Sequence, residues 1–384
     1  MIKRTIYFAG LIALVLAIGV ARGSEPSKQS PAPRQSKSVP ETKTNAGEWD
    51  KILQQAKKEG SVVLAGPPIA EMRKGFGLFT KRYGIQVDFH SGQTAKHFTK
   101  IKEEYGAGKH TIDVVMGGPN TIVQGMIPMG IIEPIKSKLL LPEVGCGNWT
   151  TSDGCPWFID PEGRILRLGN WVSGNTIFVN TKNVDPKQIK YYKDLLDPKY
   201  KGRIVSVDPR TFGPGGEGTN YLIETLGSDF VKKLYKEQEI VFSVDMRQLG
   251  TWIARGNYDI LLHGNSEDIY RMLKENLPIV AVEMQDEPHG KLSGGWISAI
   301  VQMKDSPHPN AAVVFINWAA SKEGAEMLGK ATQYPVVRKD LSNDWVPDFI
   351  VPKPGVKYLD THSWEFLSKR SDELDKIRLQ LFPK

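Results

Sequence analysis

Four loops that follow predicted strands contain small and polar residues, whose chemistry suits hydrogen bonding more than covalent catalysis. Small residues let a ligand approach the backbone, and hydroxyl and amide groups supply neutral hydrogen bonds. Each loop opens a predicted helix, whose N-terminus carries about half a positive charge and unpaired N–H donors. Together the loops would suit an anion, although each alone could simply cap a helix or form a turn. They are Gly66-Pro67-Pro68, Ser91-Gly92-Gln93-Thr94, Gly117-Gly118-Pro119-Asn120-Thr121 and Gly264-Asn265-Ser266.

The segment GPGGEG at residues 213–218 matches the G-x-G-x-x-G pattern of dinucleotide-binding folds. In those folds the glycines begin immediately at the strand end, whereas residues 209–212 intervene here. We therefore interpret the segment as a flexible turn that brings Arg210 and Thr211 to a cleft. Arg210 either binds a carboxylate or phosphorus oxyanion through two N–H groups or forms a surface ion pair.

Diagnostic enzyme motifs are missing from the sequence, which contains no HExxH, GxSxG or CxxC pattern. Of the seven histidines, His90 and His97 are seven residues apart, and neither has a cluster of Asp, Glu or Cys at metal-site spacing. His263 ends the predicted strand YDILLH and Trp296 follows two glycines, so both could line a cleft. We expect no enzyme activity, no catalytic residue, no metal and no cofactor.

The net charge of +7 over 384 residues is concentrated at the N-terminus. Residues 1–47 hold seven basic and two acidic residues, and the rest of the chain is almost neutral. No basic face therefore indicates nucleic-acid binding. Hydrophobic residues at 40% and charged residues at 24% are typical of a globular protein and exclude a disordered or multi-span membrane chain.

The N-terminus has the layout of a secretory signal. Lys3 and Arg4 precede an uncharged run at 6–21, and small residues follow at Ala21 and Gly23. We expect a signal peptide over residues 1–23 and a periplasmic location. An uncleaved membrane anchor is the alternative, although the run is shorter than the roughly 20 residues that span a bilayer. Residues 24–47, rich in Ser, Pro, Lys and Thr, predict a flexible linker.

Two cysteines, Cys146 and Cys155, flank a loop rich in Gly, Ser and Asp. An exported chain meets an oxidising compartment, so we predict a disulfide between them. A two-thiolate metal site is the alternative, but no pair of histidines lies nearby at ligand spacing.

Hydrophobic runs alternate with amphipathic stretches from residue 48 onward. Strands are predicted at 61–65, 85–90 and 112–116, each followed by a loop and a helix, which indicates a mostly parallel sheet. A second set of elements begins at 172–180 and includes a strand predicted at 294–303. The sequence therefore predicts two α/β lobes.

Several segments resemble bacterial ABC-importer extracellular solute-binding proteins, in the group that includes ferric-iron and small-anion binders. They are DVVMGG at 113–118, DLLDPKYKGRIVSVDPR at 194–210, ARGNYDILLH at 254–263 and SPHPNAAVVFINWAASKEGAEML at 306–328. The resemblance implies a type II periplasmic-binding fold, with two α/β lobes joined by hinge strands that close on a solute. Lobe 1 would comprise 48–118 and 296–340, lobe 2 would comprise 119–295, and 341–384 would form a helical segment packed on the lobes. The chain would cross between lobes near Gly118 and Gly295.

The implied function is a periplasmic receptor that captures a small anionic solute and delivers it to an ABC permease in the inner membrane. We expect a monomer without a nucleic-acid partner. Ferric binders of this group carry an adjacent Tyr-Tyr pair after the strand that matches YDILLH, where this chain has GNSED at 264–268. The alternatives are a ferric-iron carrier that uses Tyr221 or Tyr270, and an exported enzyme that uses Asp208, His263 or Glu267.

The predicted ligand-binding residues come from the four loops, the turn at 209–212 and the two cleft candidates. They are Pro67, Pro68, Ser91, Gly92, Thr94, Gly118, Asn120, Thr121, Arg210, Thr211, His263, Asn265, Ser266 and Trp296.

Overall fold

The computed structural model describes residues 46–383 of the chain. The predicted signal peptide and nearly all of the predicted linker lie outside these residues. Within the described part, no helix is long and apolar enough to cross a membrane.

Thirteen strands occur in the described residues. They are β1 (Ser61–Gly66), β2 (Gln86–Ser91), β3 (Val114–Gly117), β4 (Ile132–Glu133), β5 (Val172–Ser173), β6 (Thr176–Asn180), β7 (Ile204–Val207), β8 (Val241–Ser243), β9 (Ile260–Leu262), β10 (Ile279–Glu283), β11 (Lys291–Ser293), β12 (Ala299–Met303) and β13 (Leu359–Asp360).

The same residues form twelve α-helices, which short 3-10 and π turns supplement. They are α1 (Ala46–Glu59), α2 (Ala70–Gly75), α3 (Gly77–Tyr83), α4 (Thr94–Gly106), α5 (Pro119–Thr121), α6 (Pro214–Leu226), α7 (Ser228–Lys232), α8 (Met246–Arg255), α9 (Glu267–Lys274), α10 (Pro309–Ala320), α11 (Lys322–Thr332) and α12 (Ser371–Leu381).

The first sheet forms the centre of lobe 1, in the strand order β2-β1-β3-β12-β4. Strands β1, β2 and β3 are parallel, and β12 runs antiparallel to β3 and β4. Helix α10 is apolar on all sides because it is buried between the sheet and helices α1 and α11. Phe79, Phe315 and Trp318 pack with ring centroids 5.2–5.6 Å apart, and each fully buried side chain contributes about 1.5–3 kcal/mol.

The second sheet forms the centre of lobe 2, in the order β10-β6-β9-β7-β8. Strand β7 runs parallel to β8 and β9, whereas β6 runs antiparallel to β9 and β10. The C-terminal helix α12 packs on α6, where buried Arg378 donates to Asn220 Oδ1 at 3.0 Å. Gln124, from the π turn that extends α5 of lobe 1, donates to Asp372 of α12 at 2.8 Å. The C-terminal segment therefore contacts both lobes.

A third, small sheet in the order β13-β11-β5 joins the lobes. Strand β5 leads into β6 of lobe 2, and β11 lies between β10 of lobe 2 and β12 of lobe 1. The first crossing is therefore at β5 and not near Gly118. Strand β4 pairs with β12, and Leu166 and Gly169 bridge to Ile300 and Val336. These pairings place the region 119–170 with lobe 1, which corrects the predicted boundary between the lobes.

The strand predicted at 294–303 is interrupted at the second crossing. Gly295 has φ of +64°, a left-handed conformation that favours glycine, and a 3-10 turn follows over Gly295–Ile297. A Cβ at this position would lie 2.4 Å from the Tyr334 ring. The chain therefore turns here before it enters β12.

Cys146 and Cys155 form a disulfide, as predicted. The bond closes a loop between residues nine apart in the sequence. In the chain-entropy model a loop of this size contributes about 2–3 kcal/mol of stability.

We predict that the double variant Cys146→Ser/Cys155→Ser has a free energy of unfolding lower by about 2 kcal/mol, because its unfolded chain is less restricted. Urea unfolding followed by circular dichroism measures this difference. Reduced wild-type protein serves as the control and should match the variant, whereas reductant should leave the variant unchanged. Equal stability of the oxidised protein and the variant would contradict the prediction.

Candidate functional site

A cavity of about 120 Å³ lies between the two lobes, where the loops at the strand ends meet. Lobe 1 contributes the first residues of α4 and α5, and lobe 2 contributes the N-terminus of α6 and the loop before α9. Helix N-termini from both lobes therefore face one space. Their unpaired N–H groups and partial positive charges favour a negatively charged or hydrogen-bond-accepting occupant.

Half of the predicted ligand-binding residues line this cavity. They are Thr94, Gly118, Asn120, Thr121, His263, Asn265 and Trp296. The rule that ligands bind beyond the carboxyl ends of parallel strands identified these loops from the sequence. Contact with a solute remains a prediction for each of them.

Pro67, Pro68, Ser91 and Gly92 do not line the cavity. The buried ring of His97, in the first turn of α4, fills the space between the loops that follow β1 and β2. Its Nε2 lies 3.2 Å from the carbonyl oxygen of Gly66, and a Cβ on Gly92 would be 3.1 Å from the ring. This side chain therefore packs between the two loops.

Arg210, Thr211 and Ser266 are also absent from the cavity lining, which corrects the prediction for this group. The Arg210 guanidinium binds the Asp208 carboxylate, with Nη2 2.7 Å from Oδ2 and Nε 2.9 Å from Oδ1. The Thr211 hydroxyl donates to the Asp208 carbonyl oxygen at 2.8 Å. Ser266 caps α9 by accepting from the Ile269 N–H. These three side chains stabilise local structure.

The sequence analysis missed a buried ionic network in the cavity wall. Glu217 Oε2 accepts from Lys291 Nζ at 3.1 Å and lies 3.3 Å from His362 Nε2, and all three residues line the cavity. Burial raises the pKa of Glu217, but the charges and hydrogen bonds of Lys291 and His362 outweigh it and hold that pKa well below its ordinary value. Burial also lowers the pKa of His362, against the opposing effect of Glu217. The carboxylate is therefore ionised, and both partners contact it through Oε2.

The signals for this network are weak in the sequence. Glu217 lies inside the glycine-rich segment at 213–218, Lys291 lies on the short strand β11, and His362 follows β13. Glu217 is 74 residues from Lys291 and 145 residues from His362 along the chain. They come together where α6 meets the small sheet β13-β11-β5 that joins the lobes, which we call the hinge sheet.

His263 lies between α6 and the cavity in an unusual backbone conformation, with φ of +58°. Its Nε2 is 2.7 Å from the Tyr235 hydroxyl. A Cβ on Gly218 would come within 2.2 Å of the imidazole, so glycine there gives the ring its space. Burial, with a smaller contribution from the charge of Lys291, lowers the pKa of His263 to about 3. The ring is therefore neutral near neutral pH.

Two phenols also line the cavity, Tyr270 from α9 and Tyr334 from the segment after α11. Their hydroxyl oxygens are 3.5 Å apart, and burial raises the pKa of both. Burial also raises the pKa of nearby Glu267 to about 7. Among the described residues, no group of three or more His, Cys, Asp or Glu side chains could hold a metal ion.

Comparison with known proteins agrees with this architecture. The family model of bacterial extracellular solute-binding proteins matches residues 170–331. Iron uptake protein A1 of Synechocystis is 22% identical over 275 residues, which cover 68% of this chain and 71% of that protein.

Two solved structures share the fold over most of the chain. Iron-bound HitA from Pseudomonas aeruginosa has a TM-score of 0.62 at 18% identity, over 84% of this chain and 99% of HitA. AfuA from Actinobacillus pleuropneumoniae, solved with exogenous fructose-6-phosphate, has a TM-score of 0.62 at 18% identity, over 84% and 98% of the two chains. Together with the two lobes and the cavity between them, these similarities show that the chain has the type II periplasmic-binding fold, and its residues 170–331 match the family of bacterial extracellular solute-binding proteins.

Proposed function

We propose that this solute-binding receptor captures a small anion between its two lobes. The observation that carries the proposal is the presence of helix N-termini from both lobes around a single cavity. Helices α4 and α6 each have 13 residues, so their N-termini carry developed dipoles. An anion that contacts both lobes would stabilise the closed conformation more than the open one.

Lys291 supports the same ligand class. One interaction of its ammonium group is with Glu217, and the group retains further N–H donors on a side chain that lines the cavity. The Lys291–Glu217 pair holds the ammonium in a fixed position, which lowers the entropic cost of binding a solute. Both Glu217 partners are cations or hydrogen-bond donors, which limits the repulsion of an incoming anion.

The similar proteins are named for different cargoes, so they support two ligand classes. AfuA was solved with a sugar phosphate, which agrees with an organic anion. HitA was solved with iron, and the Synechocystis relative is named for iron uptake.

A ferric-iron carrier is the second candidate because two phenols meet in the cavity. Tyr270 was one of the two tyrosines expected to serve in such a site, and its hydroxyl lies near that of Tyr334. The other, Tyr221, lies outside the lining and donates to the Pro288 carbonyl oxygen at 2.8 Å. Ferric iron would need phenolate oxygens, and burial opposes ionisation of both cavity phenols.

An exported enzyme has less support from the geometry. Of its three candidate residues, His263 alone lines the cavity, and Tyr235 already contacts its Nε2. Asp208 is bound by Arg210, and Glu267 lies outside the lining. We therefore propose a binding function without catalysis.

The proposed cellular setting follows from the leader and the family. Solute-binding proteins of this family deliver a small solute to an ABC permease. We propose that the signal at residues 1–23 exports the chain to the periplasm, that residues 24–47 form a linker, and that the receptor acts as a monomer without nucleic acid.

We predict that Lys291→Met weakens anion binding by about 2–3 kcal/mol, because the solute loses a charged hydrogen-bond donor. Calorimetry with the anion that gives the largest thermal shift in a screen of sulfate, phosphate, citrate and sugar phosphates measures the loss. The double variant Glu217→Gln/Lys291→Met removes both charges and so controls for the unpaired carboxylate that the single variant leaves behind.

Arg210→Ala provides the control outside the lining and should leave affinity within a factor of about two, because its guanidinium is bound to Asp208. Full affinity in both Lys291 variants would remove Lys291 from the binding site, and a large loss in Arg210→Ala would show that Arg210 contributes to it.

We predict that ferric citrate produces no visible charge-transfer absorption on mixing with the wild-type protein, because both cavity phenols stay protonated. Absorption spectroscopy measures this directly. Appearance of a visible band that Tyr270→Phe and Tyr334→Phe each abolish, with Tyr191→Phe as a control for an exposed tyrosine, would favour the iron carrier instead.

A further inference from the structure

Three polar side chains in the cavity wall have an oxygen without a hydrogen-bond partner among the described residues. They are Asn120, with 7% of its surface exposed, Thr176, with 3% exposed, and Asn265, which is partly buried. Asn120 follows β3 of lobe 1, whereas Thr176 begins β6 and Asn265 follows β9 of lobe 2. The unsatisfied groups therefore belong to both sides of the cavity.

Unpaired oxygens of this kind are costly in a folded protein. Leaving a buried acceptor without a donor costs about 1–3 kcal/mol, and most buried polar groups have a partner. Twelve buried side-chain polar atoms in the described residues lack a partner, and three of them belong to residues that line this one cavity, where a bound solute is able to supply the missing partners. An amide oxygen only accepts hydrogen bonds, so the solute must present donors to Asn120 and Asn265.

The need for hydrogen-bond donors on the solute distinguishes between classes of ligand. Sulfate carries only acceptor oxygens, and a bare ferric ion carries no hydrogen-bond donor. Amino groups would supply donors, but their positive charge would lie beside Lys291 and the helix N-termini. Hydroxyl groups donate and accept without charge, and they also suit the amide N–H groups of the same asparagines.

The cavity also offers aromatic walls to the carbon skeleton of such a molecule. Phe212 and Trp296 line it together with the two phenols Tyr270 and Tyr334. Apolar and aromatic surface with a few placed polar groups is typical of sites for small organic molecules.

We infer that the solute is a hydroxylated organic anion, such as a sugar acid or a polyol phosphate, whose hydroxyl groups bind Asn120 from lobe 1 and Asn265 and Thr176 from lobe 2. The inference rests on the proposed anion-binding function and names the solute class for the same site. The anionic group interacts with the helix N-termini and Lys291, and the hydroxyl groups connect the lobes.

Matched pairs of anions test the hydroxyl groups on the wild-type full chain. Calorimetry compares sorbitol 6-phosphate with hexyl phosphate, and gluconate with hexanoate. The members of each pair share their charge and chain length, and the two pairs distinguish a phosphate from a carboxylate. We expect the hydroxylated member of at least one pair to bind about 100-fold tighter, because a site built for hydroxyl groups rejects the analogue that lacks them.

Variants of Asn120 and Asn265 test whether these two residues cause the preference for the hydroxylated anion. Asn120→Leu and Asn265→Leu keep the branched shape of the side chain and should each reduce the preference for the hydroxylated member at least tenfold, with affinity for the alkyl anion almost unchanged. Asn257→Leu, at an exposed position, is the control and should leave the preference intact.

The outcomes separate this inference from the proposed function. Equal binding within each pair, or a preference that both asparagine variants retain, overturns the hydroxyl inference and leaves anion binding standing. No binding of any of the four compounds, sulfate or phosphate overturns both.

Discussion

The buried contact of Glu217 with Lys291 and His362 links the hinge sheet to the solute cavity. Lys291 lies on β11 of the hinge sheet, His362 follows β13, and Glu217 lies in the first turn of α6 in lobe 2. Removing a charge from water costs several kcal/mol unless partners compensate it, so these three groups hold one another in place. The N-terminus of α6 is thereby fixed against the hinge, with its first turn facing the cavity.

The same contact limits what the cavity offers to a solute. The carboxylate of Glu217 is bound by two partners and His263 is occupied by Tyr235, so neither is a free ligand for a hard cation. Burial also keeps the phenols of Tyr270 and Tyr334 protonated. What remains are backbone N–H groups, amides, hydroxyl groups and one ammonium group. This combination recognises a small molecule through hydrogen bonds and positive potential.

The sequence predicted the features that depend on local patterns. Strands followed by small polar loops indicated parallel sheets and the residues at their ends, and five of the predicted loop residues line the cavity. The boundary of lobe 1 was wrong because β4 has only two residues and no recognisable pattern of its own. Arg210 was placed in the cleft although Asp208, two residues earlier, is a closer partner for its guanidinium than any solute. Local sequence could not decide between these two partners.

Long-range packing explains the remaining differences. The Glu217 network joins residues that are 74 and 145 positions apart, so no spacing rule finds it. The strand expected at 294–303 is interrupted by the left-handed conformation of Gly295, where the Tyr334 ring leaves no space for a Cβ. Tyr334 also lines the cavity, so the side chain that requires glycine at this position is part of the cavity wall. The local sequence therefore could not predict the turn at Gly295, because the residue that packs against it lies 39 positions later in the chain.

The arrangement gives a physical reason for coupling between solute and hinge. A ligand shifts an equilibrium between two conformations only by the difference in its affinity for them. In the proposed complex Asn120 and Asn265 contact one solute from different lobes, so opening the cleft would separate these contacts, whereas a solute held by a single lobe would bind both conformations equally. Lys291 belongs to the hinge sheet itself, so a contact between Lys291 and the solute would change with the angle between the lobes. Closure would then follow from where the polar groups are attached, without any need for a mobile lid.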